Sequence, residues 1–293
     1  MKEKTIYALG FFDGVHLGHQ ALLKACKALA NGQGCKAAAV TFATHPDTLV
    51  LGKTPGLINT IEDRVRLLKA FGMDEVVVLP FDKKMQTMPW QDFLEMLRVS
   101  HNATGLVCGH DFRFGNRGEG SGEHLAAFCQ EHGMVYTVVP EQKLEGIPIS
   151  STHIRSLLEK GQLEEASRFL GHPHILSGTV VSGRRLGRTL GIPTANLPLP
   201  EDTLTLPYGV YACKAMTEIG HYIAVTNIGS RPTVGGHRVT VEPWLLDFSA
   251  DLYGKTLTLE LHSFLRPEKT FASLEELKAE IQENARQTRN FFE

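Results

Sequence analysis

The sequence predicts an α/β unit built on a parallel sheet, followed by an antiparallel β-barrel closed by a C-terminal helix. Three observations carry this. Short apolar runs alternate with helical patterns through residues 6–139, the signature of strands joined by crossover helices. Residues 175–265 are rich in Thr, Val, Tyr and Leu, with frequent Gly and Pro and no good helical stretch, which reads as an antiparallel sheet or small barrel. A last amphipathic segment then begins at Ser273 and runs to the end, with Glu276 three residues on to complete a capping box.

The elements follow in order. Strands are expected at Ile6–Phe11, Ala37–Phe42, Glu75–Leu79, Gly105–Gly109 and Met134–Val139. Between them, Leu17–Ala30 has apolar residues at helical spacing. Thr60–Phe71 reads as a helix with Thr60 and Asp63 at its start and Gly72 as its stop. Pro89 suits the first turn of a helix reaching about Arg98, and Glu123–Glu131 is a further helix. Two short helices follow near Thr152–Glu159 and Leu163–Leu170. Gly171-His172-Pro173 then breaks the pattern, so the domains are expected at 1–172 and 173–293.

Composition bounds the partners. The 293 residues suit two domains, and 42% hydrophobic with 21% charged residues is ordinary for globular chains. A net charge of −2 gives no electrostatic reason to expect nucleic acid or an anionic membrane. No apolar run is long enough to span a bilayer, and the start lacks a signal-peptide pattern. The five cysteines have no C-x-x-C spacing, so reduced core thiols in a cytoplasmic protein are expected rather than a zinc or redox site. The sequence leaves protein partners unknown.

The most informative stretch of the first half is GFFDGVHLGHQALL, Gly10–Leu23. A strand ends, a tight turn follows and a helix starts near Leu17. His16 and His19, three apart at the first turn, face one spot, at the positive end of the helix dipole, which suits a triphosphate. Gly18 lets a ligand approach the backbone. A bare H-x-x-H would be a pair of surface turn residues; the strand, the Phe-Asp-Gly turn and the helix together favour function. GHDFRFG, Gly109–Gly115, follows the fourth strand, where ligands of open parallel sheets bind. The NRGEGSG run after it reads as a connection. ISSTHIR, Ile149–Arg155, opens a helix; taken alone, Ser151 or Thr152 caps it and Arg155 faces solvent. Gly52-Lys53-Thr54 fails as a P-loop because Asp47 stands where that motif needs Gly.

These segments, with TFATHP (Thr41–Pro46), resemble the amino-terminal domain of the bacterial bifunctional riboflavin kinase/FAD synthetases. The resemblance covers nearly the whole first domain. It implies a Rossmann-like fold of the HIGH-motif nucleotidyl transferases. It also implies an ATP site of Gly10, Phe12, Asp13, His16, His19, Ser151, Thr152 and Arg155, with His16 and His19 catalytic. The FMN side would be His45, Pro46, Asp111, Phe112 and Phe114. The implied reaction is attack of the FMN phosphate on the α-phosphorus of ATP, with pyrophosphate leaving.

The barrel half opens with GTVVSGRRLGRTLGIPTAN, Gly178–Asn196. Gly178, Gly183, Gly187 and Gly191 allow a loop to wrap phosphates with its N–H groups, and Arg188 adds charge. A glycine-turned hairpin would explain the glycines but not Thr194 and Asn196, whose oxygens are hard ligands suited to Mg²⁺. Glu242 sits in an alternating strand and is placed to remove a proton from a hydroxyl; alone, it would be an ordinary surface carboxylate. GIPTAN, NIGSRPT (Asn227–Thr233), VEPWLLDFSADLYG (Val241–Gly254) and FLRPEKTF (Phe264–Phe271) resemble the riboflavin kinase domain of the same family. That likeness implies Mg-ATP on Thr194 and Asn196, which would be the metal ligands; Gly183, Gly187 and Arg188 of the glycine loop are expected at the same ATP. It implies flavin beside Arg266 and Glu242, with Glu242 as base. Trp244 stands where many relatives have His, Asn284 where many have Asp, and Gly10-Phe11-Phe12 replaces the more frequent Gly-(Asn/Lys)-Phe.

The function expected is therefore riboflavin to FMN and FMN to FAD, with ATP as donor and Mg²⁺ as cofactor. Two alternatives differ in class: an FAD synthetase with weak or lost kinase activity, and a non-catalytic flavin or nucleotide sensor. Intact His16, His19, Thr194, Asn196 and Glu242 count against the sensor, because binding alone needs no base.

Overall fold

The computed structural model describes residues 3–52, 54–182, 191–233 and 236–293. By its contacts the chain parts into two compact units, Met1–Leu57 with Ile61–Ser151, and Ile58–Thr60 with Thr152–Glu293.

The first unit begins with β1 (Thr5–Leu9) and α1 (Leu17–Gln33), joined through a 3-10 turn at Asp13–Val15. Then come β2 (Lys36–Phe42), α2 (Pro46–Val50), α3 (Ile61–Ala70), β3 (Glu75–Leu79), α4 (Lys83–Gln86) and α5 (Trp90–Ser100). The unit continues with β4 (Ala103–Gly109), α6 (Gly122–Glu131), β5 (Val135–Val139) and the short hairpin β6 (Lys143–Leu144) and β7 (Ile147–Pro148). Five strands pair in the order β3-β2-β1-β4-β5, all in parallel. Residues 37–40 and 106–108 are fully or almost fully buried, as in a sheet covered on both faces. Strand β1 is shorter than expected. It ends at Leu9, ahead of the left-handed turn at Phe12, φ 62°.

Helix α7 (Ser151–Glu159) starts on the last residue of the first unit. The second unit contains the rest of α7 and α8 (Leu163–Leu170), which Gly171 ends in the left-handed conformation, φ 75°. Its strands are β8 (His174–Thr179), β9 (Leu197–Pro198), β10 (Gly209–Thr217), β11 (Gly220–Thr233), β12 (Gly236–Leu245) and β13 (Thr256–Pro267). They form one antiparallel sheet in the order β8-β13-β10-β11-β12-β9. Its two edges meet where Val181 N–H donates to the Asn196 carbonyl at 3.0 Å, so the sheet is a nearly closed barrel. Alternation fills it: Leu257, Leu259 and Leu261 are fully buried on one face of β13.

Helix α9 (Leu274–Phe292) ends the chain. Ser273 caps it as expected, accepting from Glu276 N–H at 3.1 Å. The Glu276 carboxylate reaches back to Ala272 N–H rather than to the cap residue itself.

His174 in β8 is 1% exposed, and neither ring nitrogen has a hydrogen-bond partner among the described residues. Burial, helped by nearby His172, pushes its pKa down to about 3. An unfolded histidine titrates near 6.5, so the unfolded state takes up the proton first as pH falls. The stability tied to a neutral His174 is complete above about pH 6.5 and drains away between there and about 3. We expect acidification from pH 7 to 5 to cost about 2 kcal/mol through this group, and His174→Leu to remove that part of the slope. Denaturant unfolding of both proteins at several pH values checks it; parallel slopes would refute it.

Candidate functional sites

In the first unit, three loops leave the carboxyl ends of β1, β2 and β4, which are neighbours in the sheet. The chain runs from β1 to β2 on one side and later returns to β4 on the other, so β1 and β4 border the switch point where open parallel sheets bind ligands.

The β1 loop places the histidines. His16 is the N-cap of α1, and its Nδ1 accepts from His19 N–H at 3.2 Å. A neutral imidazole accepting at Nδ1 carries its proton on Nε2, so His16 has a donor to offer a phosphate oxygen. The two rings stack with centroids 3.6 Å apart and planes at 12°. His19 Nδ1 is buried without a partner among the described residues. Burial first, then His16 and the charge of Arg64, hold His19 well below the ordinary imidazole value, so it is neutral near pH 7. Phe12 is 1% exposed, with its ring against Gly10 and edge-on to His19 at 5.2 Å. Any Cβ at Gly10 would lie 3.0 Å from that ring. Gly10 and Phe12 thus seat His19 from below. Gly18 is constrained likewise: a Cβ there would lie 3.2 Å from the His16 ring. Buried Asp13 ties in the later motif, its carbonyl accepting from Ser151 Oγ at 2.9 Å. Thr152 and Arg155 follow on α7 and belong to the second unit.

The β2 loop repeats the device. His45 caps α2, its Nδ1 accepting from Asp47 N–H at 3.2 Å, and Pro46 occupies the first helical turn. Its ring meets the edge of Phe11 at 4.5 Å. After β4, Asp111 is largely exposed and Phe112 stacks on Phe114 at 5.7 Å. Phe114 is 6% exposed and packs on Phe93 in the core, so its ring backs Phe112 rather than facing the loop surface.

Arg64 was not legible in the sequence pattern. It lies on α3 with no exposure, and its Nη1 donates to the carbonyls of Phe11 at 2.9 Å and Phe42 at 3.0 Å and to Thr41 Oγ1 at 3.0 Å. An arginine in an amphipathic helix ordinarily reads as solvent-facing, which is why the pattern hid it.

Two cavities formed by described residues of the second unit hold predicted site residues. One, of about 850 Å³, is lined among others by Thr194, Asn227, Glu242, Trp244, Arg266 and Asn284. Glu242 sits on β12 opposite Asn227 of β11. Arg266 donates to Asn284 Oδ1 from Nε at 3.2 Å and Nη2 at 2.9 Å, and pairs with Glu280. Asn284 is 1% exposed, so this residue of α9 is a buried acceptor that orients the Arg266 fork. The second cavity, of about 380 Å³, is lined by Gly191, Thr194, Asn196, Asp251 and Tyr253, with other residues of the same segments. Thr194 therefore lines both. The PTAN segment is held by Ala195 N–H donating to the Pro243 carbonyl at 2.9 Å, beside Glu242. Gly183, Gly187 and Arg188 lie outside the described residues.

Comparison with known proteins gives a consistent match. The FAD synthetase family matches residues 1–153, and the riboflavin kinase family residues 170–292. A bifunctional riboflavin kinase/FMN adenylyltransferase of Listeria monocytogenes is 35% identical over 290 residues, covering 98% of this chain and 92% of that protein. Its Escherichia coli (strain K12) counterpart is 37% identical over 295 residues, covering 99% and 94%. A crystal structure described as a macrolide-efflux protein from Streptococcus pneumoniae superposes with TM-score 0.86 at 30% identity, covering 99% of this chain and 95% of that one. Among the described residues here, no helix is long and apolar enough to cross a membrane.

Proposed function

The chain belongs to the bifunctional riboflavin kinase/FMN adenylyltransferase family, and from that premise we propose how its residues divide the chemistry. It phosphorylates riboflavin to FMN and adenylylates FMN to FAD, with ATP as donor in both steps.

In the kinase reaction the flavin occupies the larger barrel cavity and the ATP phosphates the smaller. The observation that carries this is Thr194, which lines both and so stands where donor and acceptor meet. Glu242 accepts the proton of the ribityl 5′-hydroxyl while that oxygen attacks the γ-phosphorus, and ADP leaves. Arg266, set by Asn284, faces the flavin. Thr194 Oγ1 and Asn196 Oδ1 fit Mg²⁺: both are hard neutral oxygens at the smaller cavity, and Mg²⁺ takes few protein ligands when phosphates supply the others. When bound it neutralises charge on the transferring phosphoryl group.

In the adenylyl transfer a phosphate oxygen of FMN attacks the α-phosphorus of ATP and pyrophosphate leaves. His16 and His19 stabilise the charge that builds on the phosphate oxygens, aided by the α1 dipole. His45, Pro46, Asp111 and Phe112 hold the flavin side, Phe114 supporting Phe112 from the core. The parts played by Thr152 and Arg155 on ATP rest on the ISSTHIR segment alone. We place the chain in the cytoplasm, in keeping with five free cysteines; the division into 1–172 and 173–293 follows the two family matches, residues 1–153 and 170–292, while by contacts α8 groups with the barrel. The test is whether purified chain given riboflavin, ATP and Mg²⁺ makes FMN and then FAD.

A further inference from the structure

We propose that Arg64 is a positioning residue for adenylyl transfer, fixing the loop that bears His16 and His19 against the loop that bears His45. The inference rests on the assignment of that reaction to the first unit.

Phe11 immediately precedes the left-handed Phe12 and the turn into His16. Phe42 is the last residue of β2, three before His45. One guanidinium nitrogen bonds the carbonyls of both. Thr41 Oγ1 accepts from the same nitrogen and donates to the Phe11 carbonyl at 2.7 Å, closing a triangle between the two strand ends. The guanidinium carbon also lies 3.9 Å over the Phe11 ring, whose edge contacts His45. Backbone, ring and histidine on the flavin side are thus referred to the same group that holds the start of the histidine loop.

A fully buried guanidinium costs stability unless it is paired and hydrogen-bonded. Packing alone would be served by an apolar side chain on α3. A planar group with several fixed donors is suited to hold two chain ends at one separation. Bringing an FMN phosphate within reach of the ATP α-phosphorus depends on that separation, and a misplacement of about 1 Å costs on the order of 10²-fold in rate.

The experiment measures FAD formation from FMN and ATP in wild type, Arg64→Met, Arg64→Lys and Thr41→Val, with circular dichroism to normalise to folded protein. We expect Arg64→Met to lower kcat roughly 10²-fold with little change in either KM. Arg64→Lys should recover part of the loss, because it restores charge and donors. Thr41→Val, which removes one corner of the triangle and leaves the charge, should lower kcat by less. Riboflavin phosphorylation should be untouched in all three. If Arg64→Met does not fold, Arg64→Lys and Thr41→Val carry the test, and an unchanged kcat in both overturns the proposal. An unchanged kcat per folded molecule in Arg64→Met overturns it outright, as does a Lys variant no better than Met. A wild-type chain that makes no FAD would instead sink the assignment of the reaction.

Discussion

His16→Ala or His19→Ala lowers FAD formation from FMN by roughly 10²–10³-fold, the usual cost of removing one preorganised donor from a transition-state site, while riboflavin phosphorylation continues at its normal rate. The expectation follows from the stacked pair at the start of α1 and from its place in the first unit alone. His16 also caps the helix through Nδ1, and losing a cap costs about 1 kcal/mol. His16→Asn separates the two roles, since asparagine is a good cap but does not place a donor where Nε2 stands. It should keep wild-type stability and still lose FAD formation. Single-turnover assays with FMN and with riboflavin, at saturating ATP, read both activities. Loss of both in a folded variant would contradict separate sites.

Glu242→Gln abolishes most FMN formation while the variant still binds riboflavin and ATP. The amide keeps the shape of the side chain in the large cavity but cannot take the hydroxyl proton. General-base removal costs about 10²–10⁴-fold, and metal-assisted phosphoryl transfer puts the loss toward the lower figure. The carboxylates nearest in sequence are less suited. Asp247 is 75% exposed and paired with Arg289 at 2.8 Å, and Asp251 lines the smaller cavity. Single-turnover FMN production by wild type and variant at equal saturation checks the expectation. A variant within about twofold of wild type, far short of general-base loss, would make Glu242 a structural residue and Asp251 the next to test. FAD synthesis from supplied FMN should be the same in both.

Much of this was legible in the sequence because the physics is local. The α1 start is written in a strand, a turn and two histidines, and Ser273 with Glu276 announces α9. Glu75–Leu79 and Leu163–Leu170 are found with the bounds expected. Helices α2 and α4 and the hairpin β6-β7 were not foreseen, since five residues or fewer give no period to read. Long-range facts were hidden for another reason. Nothing in RVRLL says that Arg64 points inward, or that Phe114 packs on Phe93 while Phe112 does not reach so deep. The amphipathic pattern of α8 shows a buried face but not what covers it; the contacts group it with the barrel. The departure at Asn284 was visible as a substitution, whereas its bond to Arg266 needed the fold.

The central claim is that one chain performs two successive reactions at two sites. The most direct measurement is a time course of flavins, separated by chromatography, after mixing purified protein with riboflavin, ATP and Mg²⁺. FMN should appear first and FAD after a lag, with the lag abolished when FMN replaces riboflavin and both products absent when ATP is omitted. FAD formation from FMN without any conversion of riboflavin, or ATP-dependent accumulation of FMN that never becomes FAD, would contradict it.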